Sequence, residues 1–315
     1  MATGRIVSLG HYQPSKVVTN DDLSKLVDTN DEWILSRVGI ASRRIAAENE
    51  TVADMATAAA SKALAASGLT AADIDTIVVA TCSSADRCPN VATRVARNLG
   101  VDAPAAFDVN TACSGFSYAL GLIDHGIRAG AIRNAIVIGA EKMSEMIDWS
   151  DRATCVIFAD GAGAAVVSAS DDATPAIGPV VWGSVPEKSD AIRVEGWKPR
   201  VAQEGQTVFR WATTALAPLA RETCEKAGID PTELAAFIPH QANTRIIDGI
   251  VKRLGLTERT AVAMDIVESG NTSAASVPMA LSKMVERGEI PSGAPVLLFA
   301  FGGGLTYAGQ VIRCP

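Results

Sequence analysis

The stretch Ala63–Ser83, ALAASGLTAADIDTIVVATCS, runs from small helix-forming residues through a glycine and a short acidic turn into an apolar run that ends in a polar loop. About 160 residues later Thr223–Ala242, TCEKAGIDPTELAAFIPHQA, repeats the same order of events, and Gly68 and Gly228 fall at matching places. Two further pairs extend the repeat. AFDVNTACSGFSYAL (106–120) and AMDIVESGNTSAASVPMAL (263–281) each read as strand, Asp, small polar turn and helix, and AIVIGAEK (135–142) pairs with PVLLFAFGGG (295–304). A pattern that recurs in both halves of a chain points to a duplicated unit. Runs such as TIVVA and VLLFAF are apolar on both faces, as strands are when helices cover the sheet on each side. The expectation is a layered α/β fold built twice, with halves 1–170 and 171–315. Residues 171–205, dense in Pro, Gly and charge, read as an excursion between the halves.

The 315 residues suffice for a large core. No apolar run approaches the ~18 residues of a membrane span, and MATGRIVSLG reads as a strand rather than a leader. Six cysteines without a CxxC pair fit neither a disulfide framework nor a zinc site, so a cytoplasmic protein without a membrane association is expected. The net charge of −7 argues against nucleic acid as a partner.

Cys113 lies where the strand ending FDV turns into an apolar helix. At a helix N-terminus the unsatisfied N–H groups lower a thiol pKa, which makes Cys113 a candidate nucleophile and the one cysteine expected to alkylate rapidly. His240, one of only three histidines, ends the second copy's strand near the position where the first copy has TCSS. Asn271 sits in SGNTSAAS, the second-half counterpart of the Cys113 turn. Cys, His and Asn on one side of two related halves supply a nucleophile and two hydrogen-bond donors. DGAGAAV (160–166) leads into a strand rather than a helix, so it reads as close backbone packing and not as a dinucleotide loop.

DVNTACSGF, FADGAGAAVV, IPHQAN, GNTSAAS and FGGGLTYAG, in this order and with NDEWILSRVGIASRR near the start, resemble the thiolase-like condensing enzymes, and among them the β-ketoacyl-acyl carrier protein synthase III type. The resemblance spans essentially the whole chain. It implies a duplicated thiolase-like fold layered α-β-α-β-α, and a decarboxylative condensation of an acyl-CoA primer with malonyl-acyl carrier protein. Cys113, His240 and Asn271 are then the catalytic set, and the amides of Cys113 and Gly303 form the oxyanion hole. For CoA it implies Trp33 and Arg152 around the adenine, Arg37 at phosphate and Asn243 at pantetheine, with Gly205 and Phe209 lining the tunnel and Gln206 where an Asn is usual. Arg245, Lys252 and Arg253, on the helix after IPHQAN, put local positive charge on an acidic chain and are the expected docking site for an acidic carrier protein. The resemblance further implies a homodimer in which Cys88, from CSSADRCPN, closes the partner's primer pocket. No metal or organic cofactor is expected. A superfamily acyltransferase working without decarboxylation remains an alternative, as does a non-catalytic partner subunit, against which Cys113 speaks. The primer, and whether the pathway makes fatty acid or polyketide, stay open.

Overall fold

The computed structural model describes residues 2–194 and 200–315. Two five-stranded sheets form its frame. In the first, the strands follow the order Thr3–Tyr12, Asp160–Ser170, Asn134–Lys142, Thr76–Ala80, Ala105–Val109. In the second, the order is Val181–Gly183, Thr306–Arg313, Pro295–Gly302, Ala236–Pro239, Ala261–Val262. Taken in these orders, the first two junctions of each sheet are antiparallel and the last two parallel. All three sequence pairs fall on equivalent strands, so the chain carries one thiolase-like unit twice.

Side-chain alternation along the strands builds the layers. Val78 faces inward to Phe116 and Val277, while its neighbours Ile77 and Val79 face outward to Met55, Ala59 and Val95. In the second sheet Ile238 faces inward, and Phe237 packs outward on Leu216 and Ile250. The helices Gly115–Arg128 and Ser276–Glu286 share the middle layer. Helices Val52–Ser67 and Val91–Leu99 cover one outer face, and Gly205–Lys226 and Thr244–Leu254 the other. The order is therefore α-β-α-β-α.

The repeated glycine has one task in both copies. Gly68 (φ 76°) and Gly228 (φ 69°) take the left-handed conformation that ends the preceding helix, a conformation that costs a residue with a Cβ about 1–2 kcal/mol. Asp160–Ser170 is a strand, and a Cβ on Gly163 would lie 2.5 Å from the Met279 amide nitrogen, so the DGAGAAV glycines admit the middle-layer helix. The segment 171–205 is less of an excursion than its composition suggests. It contributes the edge strand Val181–Gly183 to the second sheet and a short hairpin, Ile192–Val194 against Val201–Gln203.

Candidate active site

Both middle-layer helices are preceded by the same turn. Asn110 Oδ1 accepts from the Ala112 amide at 3.2 Å, and Asn271 Oδ1 accepts from the Ser273 amide at 2.8 Å. Ala112 (φ 48°) and Ser273 (φ 51°) are both left-handed without being glycine, a strain that such sites store. Aligned on these residues, Asn271 is the counterpart of Asn110, and Cys113 that of Ala274. The two turns are therefore counterparts, as the sequence pairing of SGNTSAAS with the Cys113 turn predicts.

Cys113 lies in the single turn Ala112–Ser114 that runs into the 14-residue helix Gly115–Arg128. The end of strand Pro295–Gly302 presses against it: a Cβ on Gly302 would come within 2.7 Å of Cys113 Cβ and 3.1 Å of its sulfur, so only glycine fits there. The amides of Cys113 and Gly303 both reach the sulfur. Ser114 Oγ bonds Thr306 Oγ1 at 2.8 Å and ties the turn to the strand beyond the glycines. The thiol itself departs from expectation. Burial, with the Glu141 charge adding to it, pushes Cys113 up to about 11 and outweighs the helix N-terminus. Cys113 is half-buried at the cavity wall, whereas Cys88 is exposed.

His240 is buried, and burial lowers its pKa to about 3, which keeps the ring neutral. Its Nδ1 meets Ser276 Oγ at 2.7 Å, and Ser276 Oγ already accepts from the Gln241 amide at 3.3 Å. With the serine proton directed to Nδ1, the tautomer that this contact allows carries the ring proton on Nε2. Asn271 is fixed in the same sense. Its amide N–H and carbonyl bridge to Ile157 and Ala159 at 3.0 Å, and its Oδ1 is taken by Ser273, which leaves the Nδ2 hydrogens to the cavity. Two neutral donors therefore stand in a cavity of about 1060 Å³ that Cys113 and Gly303 also line.

The same cavity is lined by Arg37, Gly205, Gln206, Phe209, Asn243 and Arg245, and Arg193 and Arg210 add charge. Asn243 caps its helix through Oδ1 and donates to the Arg37 carbonyl at 3.0 Å, which leaves one N–H and one lone pair for a ligand. Trp33 and Arg152 lie outside the lining, and the Arg152 guanidinium rests 4.7 Å from the Trp33 ring centre. This is a single stacking distance, so a base enters between them only after Arg152 swings away from the Asp28 carbonyl it bonds at 2.7 Å. Arg245 stacks at 5.0 Å on Phe209 in the cavity lining; all three cations expected for docking, Arg245, Lys252 and Arg253, are exposed. Cys88 does not line this cavity. Among the described residues no cluster fit to hold a metal is present, and no helix is long and apolar enough to cross a membrane.

Sequence reasoning missed Ser276, Ser273 and Glu141, and it missed the hairpin whose Ile192, Val194, Val201 and Gln203 wall the cavity. Only Glu141 carried a signal, as an acid directly after the apolar run AIVIGA of strand Asn134–Lys142.

Comparison with known proteins agrees with this geometry. The family model described as 3-oxoacyl-[acyl-carrier-protein (ACP)] synthase III matches residues 107–186, and that of its C terminal matches residues 224–314. Beta-ketoacyl-[acyl-carrier-protein] synthase III 4 of Streptomyces coelicolor is 58% identical over 99% of this chain and 98% of its own. Beta-ketoacyl-[acyl-carrier-protein] synthase III 2 of Streptomyces avermitilis is 59% identical over the full length of both. Among solved structures, the priming beta-ketosynthase from the R1128 polyketide biosynthetic pathway superposes with a TM-score of 0.97 at 40% identity, covering 99% of this chain and 96% of its own.

Proposed function

Because the chain belongs to the 3-oxoacyl-[acyl-carrier-protein] synthase III family of condensing enzymes, we propose that it joins a CoA-borne acyl primer to malonyl-acyl carrier protein and so starts fatty acid or polyketide synthesis. The observation that carries this reading is the convergence of Cys113, a neutral His240 and Asn271, whose Oδ1 is already engaged, in one cavity.

Cys113 attacks the thioester carbonyl of the primer. Its S–C bond forms as the CoA S–C bond breaks, the thiol proton leaves with CoA, and the amides of Cys113 and Gly303 receive the oxyanion. His240, neutral and protonated at Nε2, is a donor rather than a base in this step. Malonyl-carrier protein follows. Its C–CO₂ bond breaks, and the enolate oxygen is held by His240 and Asn271. The enolate carbon then attacks the acyl-Cys113 carbonyl, and the sulfur leaves. Side chains and amides serve every step, so the reaction uses neither metal nor organic cofactor.

Around this centre, Arg37, Arg193, Arg210 and Arg245 suit the phosphates of CoA, Trp33 and Arg152 the adenine, and Asn243, Gly205 and Phe209 the pantetheine. Lys252 and Arg253 meet the carrier protein. The enzyme works as a homodimer, which the exposure of Cys88 supports, and in the cytoplasm, which six free thiols favour. A small thiol at Cys88 leaves the primer pocket room for branched or medium-length chains, each buried methylene adding roughly 0.8 kcal/mol. Cys88→Phe is expected to shift the preference towards acetyl-CoA in a primer competition; an unchanged ranking refutes this account of the pocket.

The decisive test separates the half-reactions. With radiolabelled acyl-CoA, Cys113→Ala forms no acyl-enzyme, whereas His240→Ala and Asn271→Ala still acylate but release CO₂ from malonyl-carrier protein about 10²–10³ times more slowly. Transfer of the acyl group to an alcohol or amine without CO₂ release assigns the protein to the acyltransferases instead.

A further inference from the structure

The mechanism leaves Glu141 unused, although this acid is wholly buried. Its place follows from the repeat. Thr76 follows Gly68 by as many residues as Ala236 follows Gly228, and Thr76 pairs with Ala135 as Ala236 pairs with Val296. Counted onward from Ala135 and Val296, Glu141 and Gly302 hold the same position on equivalent strands. Each of these strands presses its end on the asparagine turn of the other copy. Gly302 lies on Cys113, and a Cβ on Gly139 would lie 2.3 Å from the Ala274 carbonyl oxygen. What the two ends bring is different: Gly302 brings bare backbone to a sulfur, and Glu141 brings a carboxylate to Ser273.

Glu141 Oε1 accepts from Ser273 Oγ at 2.9 Å and from Cys82 Sγ at 3.3 Å. Oε2 is anchored on its own half, where it accepts from Thr81 Oγ1 and the Cys82 amide, both at 3.1 Å, and from Ser83 Oγ. The two hydroxyls are themselves fixed, because Thr81 Oγ1 accepts the Ser83 amide at 3.3 Å and Ser83 Oγ the Lys142 amide at 2.8 Å. Ser273 at φ 51° is left-handed, a region that a residue with a Cβ occupies only when its surroundings hold it there. So held, it aims its amide at Asn271 Oδ1, 2.8 Å away. A backbone N–H only donates, so the side-chain atom that faces it is the oxygen, and the amide nitrogen is turned the other way. Without that bond the asparagine side chain is free to turn over about χ2, whose preferences are broad, and to offer a lone pair where an enolate needs a donor. The first turn gives an internal comparison. Ala112 stands there in place of Ser273, has no hydroxyl to hold, and its amide lies 3.2 Å from Asn110 Oδ1. The tethered turn is the tighter one. We propose that Glu141 is a positioning residue of the malonyl half-reaction: through the Ser273 hydroxyl it fastens the second turn to the first half's sheet, and so keeps the Asn271 amide facing the enolate with its N–H groups. The inference rests on Asn271 being the enolate donor proposed above.

Half-reaction kinetics in the full-length protein test the tether. Ser273→Ala removes it and keeps the turn's amide, and alanine already occupies the matching left-handed place at Ala112. Its release of CO₂ from malonyl-carrier protein is expected to fall about tenfold, short of the 10²–10³ that losing a donor costs, while radiolabelled acyl-CoA acylates Cys113 at the wild-type rate. Glu141→Ala is expected to match it. Because both residues act through Asn271, neither change slows decarboxylation further in an Asn271→Ala background, and the two together lose no more than either alone. Losses that add in these double variants, or that fall equally on the two half-reactions, are those of a general loosening and overturn the proposal. Should Glu141→Ala not fold, Ser273→Ala decides by the same cycle, since it leaves the acid its four other donors. Asn271→Ala alone keeps the two failures apart. If it releases CO₂ at the wild-type rate, the donor assignment falls and this proposal with it, whereas a slow Asn271→Ala beside an unimpaired Ser273→Ala removes only the role of Glu141.

Discussion

His240 can act as a donor because its surroundings forbid it a charge. Its native pKa of about 3 lies below the ordinary 6.5, so the unfolded chain takes up a proton below pH 6.5 that the folded chain refuses. The native advantage is therefore full above pH 6.5 and declines as the pH falls towards 3, by at most about 1.4 kcal/mol per unit. Urea unfolding at several pH values should show this acid-side slope flattened in His240→Gln by about one proton. An unaltered slope would mean that the ring is not held neutral by burial. Cys113 illustrates the same competition with the opposite reading from sequence. Its place at a helix start is legible in DVNTACSGF, but the depth of burial and the acid behind it depend on strands far away in the chain.

At the level of elements, the two asparagine turns show how one backbone device serves two purposes. In the first copy the turn aims a sulfur, and in the second it aims the amide of the turn's own asparagine. Asn271→Asp separates shape from chemistry, because it retains the acceptor for the Ser273 amide and loses the donor hydrogens. It is expected to melt near the wild-type temperature and to acylate normally, with malonyl decarboxylation lowered about 10²–10³-fold. A variant that decarboxylates at the wild-type rate would remove Asn271 from the chemistry. The central strands were readable, since TIVVA, AIVIG and VLLFAF carry their burial in their composition. The hairpin around residues 192–203 was not, because two three-residue strands among prolines and charges leave no periodicity to detect. The position of Ser276 behind His240 was equally hidden, as the two residues lie on different elements.

For the molecule as a whole, an acidic protein must attract an acidic carrier, and the exposed cations at the end of helix Thr244–Leu254 give it a local means of doing so. Lys252→Glu should raise KM for malonyl-carrier protein several-fold and leave KM for acyl-CoA unchanged. Arg245→Glu should raise both, because Arg245 stacks on Phe209 in the cavity lining. An equal effect of Lys252→Glu on the two substrates would place docking elsewhere. The duplication was legible because each copy repeats its turn glycine and its strand; the sharing of one middle layer followed only from the family resemblance, since the contacts that create it join residues more than a hundred positions apart.

The wall of the cavity formed by Ile192, Val194, Val201 and Gln203 belongs to neither repeat. Its two strands pair with each other rather than with either large sheet. One wall of the cavity is thus built on a stretch of chain separate from the two turns that carry Cys113 and Asn271.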